Sequence, residues 1–112
     1  MNEKTFWNHI KSLVGTNVYT VTNNEKNTII GVDDNGINGD KVNIEGRDSF
    51  PTREDLWAAY QLLLMQNKLT RLPDLAWLSE KRVSSVTFAI LTTIPDVEIE
   101  GKGNKNPSLI VR

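Results

Sequence analysis

The chain has 112 residues, of which 38% are hydrophobic and 24% charged, and its net charge is −1. This size and composition predict one globular domain, residues 1–112, and exclude an intrinsically disordered chain. The absence of cysteine excludes disulfides, thiolate metal sites and a cysteine nucleophile, and the presence of one histidine disfavours histidine-based metal or triad chemistry.

The first part of the chain, residues 1–51, combines one helix with strand-like segments. Residues 3–14 carry apolar side chains at helical spacing, and Gly15 provides a stop signal. Three later segments have the alternation and β-branched content of strands, and two Asn-Gly pairs favour a turn between the last two. The strand-like segments are residues 17–22, 27–32 and 41–45. This part therefore predicts a helix followed by a three-stranded antiparallel meander.

The second part, residues 52–112, returns to helical periodicity. Thr52 followed by Asp55 resembles a capping box, and a broad apolar face predicts a central helix over about residues 53–67. A short helix should follow, capped by Thr70 and filled by its leucines and an alanine. These filling residues are Leu72, Leu75, Ala76 and Leu78. A third helix is predicted from about Glu80 to Thr93.

The C-terminus has the pattern of a β-hairpin. Residues 97–100 and 108–111 alternate as strands around a loop rich in glycine and asparagine. The predicted fold class is therefore α+β, with an N-terminal helix and meander followed by three helices and a C-terminal hairpin.

The order of elements from the central helix to the hairpin resembles a winged helix-turn-helix domain over about the last 60 residues. The resemblance rests on the central helix, on Lys68-Leu69-Thr70 opening the second helix, on KRVSSVTFAIL in the third, and on the hairpin as the wing. The run from Arg82 to Pro95 is also similar to small uncharacterised modules of bacteria and their phages. The resemblance implies a winged-helix-like core and a non-enzymatic nucleic-acid-binding or regulatory function.

On this hypothesis, the third helix contacts a groove of double-stranded DNA and the hairpin loop follows the backbone. Lysine and arginine side chains would neutralise phosphates, and short hydroxyl side chains would add polar contacts. The face opposite Val83 and Ile90 is expected to point outward, with Phe88 and Ala89 on it. The predicted nucleic-acid contacts are Lys81, Arg82, Ser85, Thr92, Lys102 and Lys105.

The alternative hypothesis is a protein-binding adaptor or inhibitor, for example a phage protein that acts on a host nucleic-acid-handling complex. It would present the carboxylates of the meander to the basic site of its partner, or use an exposed tryptophan as an interface anchor. A second copy of the chain, forming a homodimer, is one candidate partner. The residues of this alternative interface are Asp33, Asp34, Asp40, Glu45 and Trp77, whereas Trp7 and Trp57 are expected to pack in the core.

Enzymatic and metal sites find little support in the sequence. His9 is expected to be a partly buried structural residue, because no second histidine or cysteine accompanies it. The segment from Asp34 to Glu45 resembles a calcium loop, but Gly36 offers no ligand at the third position. The serines have no base nearby in sequence. The sequence therefore predicts no catalytic residue, no metal and no cofactor.

Cellular location is suggested by two features of the sequence. The first residues lack the apolar region of a secretory signal, and the longest apolar run, Leu62 to Met65, is far too short to span a membrane. We therefore expect a cytoplasmic protein with no membrane partner.

Overall fold

The computed structural model describes residues 1–35, 39–78, 83–103 and 105–112. Within these ranges the chain forms four helices and six strands, and none of the helices is long and apolar enough to cross a membrane. The helices are α1 (Glu3–Lys11), α2 (Arg53–Gln66), α3 (Arg71–Asp74) and α4 (Ser84–Leu91). The strands are β1 (Asn17–Tyr19), β2 (Lys26–Asp33), β3 (Lys41–Ile44), β4 (Lys68–Thr70), β5 (Val97–Glu100) and β6 (Ser108–Val111). The predicted α+β class is confirmed.

Helix α1 is shorter than its periodicity predicts. Asn2 caps it, because its Oδ1 accepts a hydrogen bond from the Thr5 amide at 2.8 Å. The helix ends at Lys11, and the Gly15 amide, at a positive φ of 87°, already donates to the Ile29 carbonyl at 2.7 Å. This early turn toward the strands leaves Val14, predicted on the apolar stripe, 44% exposed.

The meander forms as predicted, with β2 between β1 and β3 in an antiparallel sheet. Its register places Ile29 opposite Ile44, and both side chains are buried in the core. An irregularity between Ile29 and Gly31 interrupts the pairing of β2 with β3. Ile30, the extra residue at this bulge, is therefore turned outward and is 58% exposed.

Helix α2 is central, as its broad apolar face predicts, since it packs against α1, α4, β4 and β6. Thr52 caps it by accepting from the Asp55 amide at 3.1 Å, and Asn67 ends it with a positive φ of 59°. The packed stripe is narrower than the broad apolar face suggests, since Leu64 is 39% exposed. The buried residues of α2 are Leu56, Ala59, Tyr60 and Leu63.

The segment predicted to open the second helix is instead a strand. β4 pairs with β6, so that the second sheet has the order β4-β6-β5. Thr70 does not cap a helix with its side chain, because its hydroxyl bonds to the Ser108 hydroxyl at 2.9 Å across the two strands. The helix that follows is only four residues long and has an extended backbone at Leu72.

Helix α4 is also shorter than predicted, and residues 80–82 of the predicted third helix lie outside the described ranges. Its buried side chains join one hydrophobic cluster that takes residues from both parts of the chain. Residues 1–51 contribute, for example, Phe6, Ile10 and Ile29 to this cluster. Residues 52–112 contribute, for example, Leu63 and Ile90. The two parts therefore share a core.

Candidate binding surfaces

Helix α4 is buried on almost every side. It packs against β1, α2 and α3. Phe88 is 2% exposed and Ala89 is not exposed at all, so the prediction that both face outward is wrong. The reason is that β1 of the meander packs against α4 and covers the face that helical periodicity predicts to be exposed to solvent. The middle of α4 is therefore not available for insertion into a groove.

The predicted nucleic-acid contacts on or beside α4 have different placements. Ser85 is half-buried and lines a cleft beside the loop between β1 and β2. Thr92 is half-buried, and its hydroxyl donates to the Ala89 carbonyl at 2.6 Å. Lys81 and Arg82 lie outside the described residues. The structure thus describes only Ser85 and Thr92 of these four residues, and neither lies on a solvent-exposed helix face.

The segment around α3 exposes apolar side chains. Leu75 and Leu78 are buried, whereas Leu72 is 46% exposed and Trp77 is 45% exposed. Pro73 and Ala76 are exposed between them. The predicted short helix does not include all four of its filling residues, because it ends at Asp74 and has an extended backbone at Leu72. We call Leu72, Pro73, Ala76 and Trp77 the α3 apolar face.

The loop of the C-terminal hairpin borders the α3 apolar face. The Asn106 side-chain amide donates to the Leu72 carbonyl at 3.1 Å, which ties this loop to the start of α3. Lys102 and Lys105 are exposed on the loop, and neither forms an ion pair with a described residue. On the neighbouring strand β4, by contrast, Lys68 pairs with Glu100 of β5 at 2.9 Å. Among the described residues of the hairpin, the basic side chains without an ion pair, Lys102 and Lys105, thus lie at its tip.

The acidic residues of the meander are largely engaged within the chain. Asp34 accepts from the Trp7 indole at 3.0 Å and from the Lys11 ammonium at 2.8 Å. Asp33 accepts from the Asn43 side-chain amide at 3.0 Å and lies 3.9 Å from the Lys41 ammonium. Two carboxylates of the predicted acidic interface therefore connect α1, β2 and β3 within the chain.

Asp40 is not available to a partner at all, because it is only 5% exposed. Arg53, at the start of α2, pairs with it at 3.2 Å and also reaches the Glu3 carboxylate at 3.2 Å. Burial of this carboxylate is tolerated because a guanidinium and the Asn35 amide both donate to it. Of the predicted acidic interface, only Glu45 is exposed and without an ion pair to a described residue.

The electrostatic environment lowers two pKa values near α1. The Lys11 ammonium and then the Trp7 indole, by hydrogen bonding, hold the pKa of Asp34 below its usual value of 3.8. Burial lowers the pKa of His9 below 6.5. The Thr93 hydroxyl donates to the Ile90 carbonyl at 2.7 Å, so it accepts from His9 Nε2 at 2.9 Å. His9 is thus half-buried, as the sequence predicts, and it links α1 to the segment that follows α4.

A metal site is not formed by the residues that the structure describes, since no three histidine or acidic side chains gather there. The calcium-loop resemblance extends over residues 36–38, which lie outside those residues. Asp34, its first position, is instead bonded to Trp7 and Lys11.

Sequence reasoning missed the α3 apolar face because it placed Leu72 and Ala76 with Leu75 and Leu78 in one regular short helix. A usable signal was Pro73, because a residue that precedes proline is displaced from helical dihedrals. Leu72 accordingly has an extended backbone, with φ −125° and ψ 130°. The exposure of Trp77 has no such signal in the sequence and is decided only by the fold.

Comparisons with protein-family models, with curated proteins and with solved structures find no match to this chain. Its function is therefore inferred from its own geometry.

Proposed function

We propose that this chain is a non-enzymatic nucleic-acid-binding domain, and that it contacts its ligand through the tip of the C-terminal hairpin and the α3 apolar face. The observation that carries the proposal is the junction of these two surfaces, made by the hydrogen bond from Asn106 to Leu72. It sets the exposed Lys102 and Lys105 beside a segment that exposes Trp77. Lysines that follow a backbone and an aromatic ring on which a base can stack are the two components of single-strand binding.

The arrangement of the second part of the chain supports this proposal. A long helix, two further helical segments and a hairpin follow one another, which agrees with the resemblance to a winged helix-turn-helix domain. The burial of α4 changes the expected mode of contact, because a covered helix cannot enter the major groove of a duplex. We therefore expect single-stranded nucleic acid, whose bases are free to stack, to be preferred over double-stranded DNA.

The test is fluorescence anisotropy with labelled single-stranded and duplex oligonucleotides over a series of salt concentrations. Affinity for the single strand should fall as salt rises, because phosphate contacts release counterions. Replacing Lys102 and Lys105 together by alanine should reduce the slope of log K against log salt by about 1.4, or about 0.7 for each phosphate contact on a single strand. Trp77→Ala should cost about 1–3 kcal/mol of binding free energy through lost stacking.

The matched control replaces Lys4 and Lys26 by alanine. Both are exposed and distant in sequence from the hairpin, and neither pairs with a described acidic residue. This control should leave the slope unchanged if the hairpin tip is the contact. An equal loss in both double variants would indicate nonspecific attraction, and no binding even at low salt would contradict the proposal.

A second candidate function is protein binding, and the apolar character of the α3 face favours it. Leu72, Pro73, Ala76 and Trp77 are exposed together on one short segment, and tryptophan is enriched at the centres of protein interfaces. Sedimentation over a range of protein concentrations tests the homodimer directly, since Trp77→Ala should then weaken self-association. The acidic meander is a less suitable interface because Asp34 and Asp40 are already paired within the chain.

A further inference from the structure

A polar cleft lies where the two parts of the chain meet. One wall is the loop between β1 and β2, which contributes Thr22, Asn23 and Glu25. Arg47, after β3, and Arg71, at the start of α3, line the same cleft together with Ser85 of α4. We call this the arginine cleft. Its volume of about 130 Å³ suits a small oxyanion rather than an organic ligand the size of a nucleotide.

Both guanidinium groups are held by neighbouring side chains. Arg47 Nε donates to the Asn27 side-chain oxygen at 3.1 Å, and Arg71 donates to the Ser84 hydroxyl at 3.2 Å. The bond of Arg71 is to a neutral group, and Arg71 has no carboxylate partner among the residues described. A guanidinium has five N–H donors, and the bond to Ser84 is the side-chain bond that Arg71 forms with the described residues, which leaves further donors for an anion.

The charge of the lining favours an anion. Two arginines and one glutamate line the cleft, and the described side-chain contact of Arg71 is with the neutral Ser84 hydroxyl. Hydroxyl and amide groups of Thr22, Asn23 and Ser85 supply neutral donors. The start of α4 adds a weaker attraction, because Val83 at its N-cap has no side chain that could bond the first amides.

We propose that the arginine cleft binds a phosphate group, either as free inorganic phosphate or as the terminal phosphate of a nucleic acid. Arginine matches this ligand because its planar fork of donors can pair with two oxygens of a phosphate at once. The proposal gives Ser85 a different role from groove contact, as a hydroxyl donor inside the cleft. Binding of the free ion does not depend on nucleic-acid binding at the hairpin tip.

The test is a titration of the full chain with inorganic phosphate at constant ionic strength, followed by two-dimensional ¹H–¹⁵N NMR. We expect shifts confined to the backbone amides of residues 20–25 and 84–86 and to the side-chain Nε–H of Arg47 and Arg71. Shifts spread over all exposed lysines, or shifts equal to those in a chloride titration, would overturn the proposal.

Two substitutions with opposite expected effects separate binding from loss of fold. Arg71→Gln should weaken phosphate affinity at least tenfold, because it removes a charged donor from the cleft. Glu25→Gln should strengthen affinity several-fold, because it removes the one negative charge of the lining. Arg112→Gln is the matched control, since Arg112 pairs with Glu98 on the hairpin and should leave affinity unchanged. Unchanged affinity in Arg71→Gln together with no gain in Glu25→Gln would contradict the proposal.

The source of the phosphate is decided by a second titration with oligonucleotides that carry either a 5′-phosphate or a 5′-hydroxyl. Tighter binding of the phosphorylated strand, abolished by Arg71→Gln but not by the replacement of Lys102 and Lys105, would assign the cleft to a nucleic-acid end. Equal binding of both strands, with inorganic phosphate still bound, would assign it to the free ion.

Discussion

At the scale of single residues, the N-terminal helix is joined to the rest of the molecule by a few polar contacts between residues far apart in sequence. Trp7 donates to Asp34, and His9 donates to Thr93. Arg53 joins α2 to the buried Asp40 and to Glu3 of α1. Three of the four acidic residues that the sequence offered for binding, Asp33, Asp34 and Asp40, thus have a structural use.

His9 gives the stability of the fold a pH dependence. Its pKa is lowered in the folded state, so the unfolded chain binds the proton more readily below pH 6.5. The contribution of neutral His9 is therefore fully present above pH 6.5 and is lost as the pH falls through the lowered pKa. Urea unfolding between about pH 7 and about pH 5 should show this loss, and His9→Gln should flatten it. An identical pH profile in both proteins would refute this role.

At the scale of elements, the main difference between sequence and structure concerns α4. Helical periodicity assigned one face of it to the core and the opposite face to solvent. The structure buries both, because the meander covers the second face. A helix that is apolar nearly all round belongs in the interior, and residues 86–91, with five apolar residues of six, already had this composition.

Substitution of Phe88 tests this burial. Phe88→Ala should lower the free energy of unfolding by about 3–5 kcal/mol, because it removes a large buried ring from the core. Trp77→Ala, which removes a larger but half-exposed ring, should cost clearly less. Guanidinium denaturation of both variants measures the difference. A Phe88 effect below about 0.5 kcal/mol would mean that this face of α4 is solvent-exposed after all.

At the scale of the whole molecule, one hydrophobic cluster runs through both parts of the chain. Val18 of β1 and Ile10 of α1 belong to the same cluster as Ile90 of α4 and Leu109 of β6. Residues 52–112 therefore do not build a core of their own, because residues 1–51 contribute side chains to the same cluster.

Unfolding should therefore occur in a single cooperative transition. We expect tryptophan fluorescence and far-ultraviolet circular dichroism to give the same midpoint, because Trp7 and Trp57 report on a core that both parts build. Two separated transitions would instead show that residues 1–51 and 52–112 unfold independently.

The sequence by itself determined the fold class, the N-cap of α2 and the hairpin, because these depend on local patterns. Thr52, Gly15 and the alternation of residues 97–100 act over a few neighbouring positions. Strand β4 could not be predicted from the sequence, because three residues next to a helix are too few to show the alternation of polar and apolar side chains that marks a strand.

Only the tertiary structure decided what is available for binding. It paired Asp34 and Asp40, covered α4, exposed Leu72 and Trp77, and brought two arginines from distant segments to one cleft. Exposure depends on which elements come to lie over a residue, and such long-range packing is not encoded in the spacing of residues along one element.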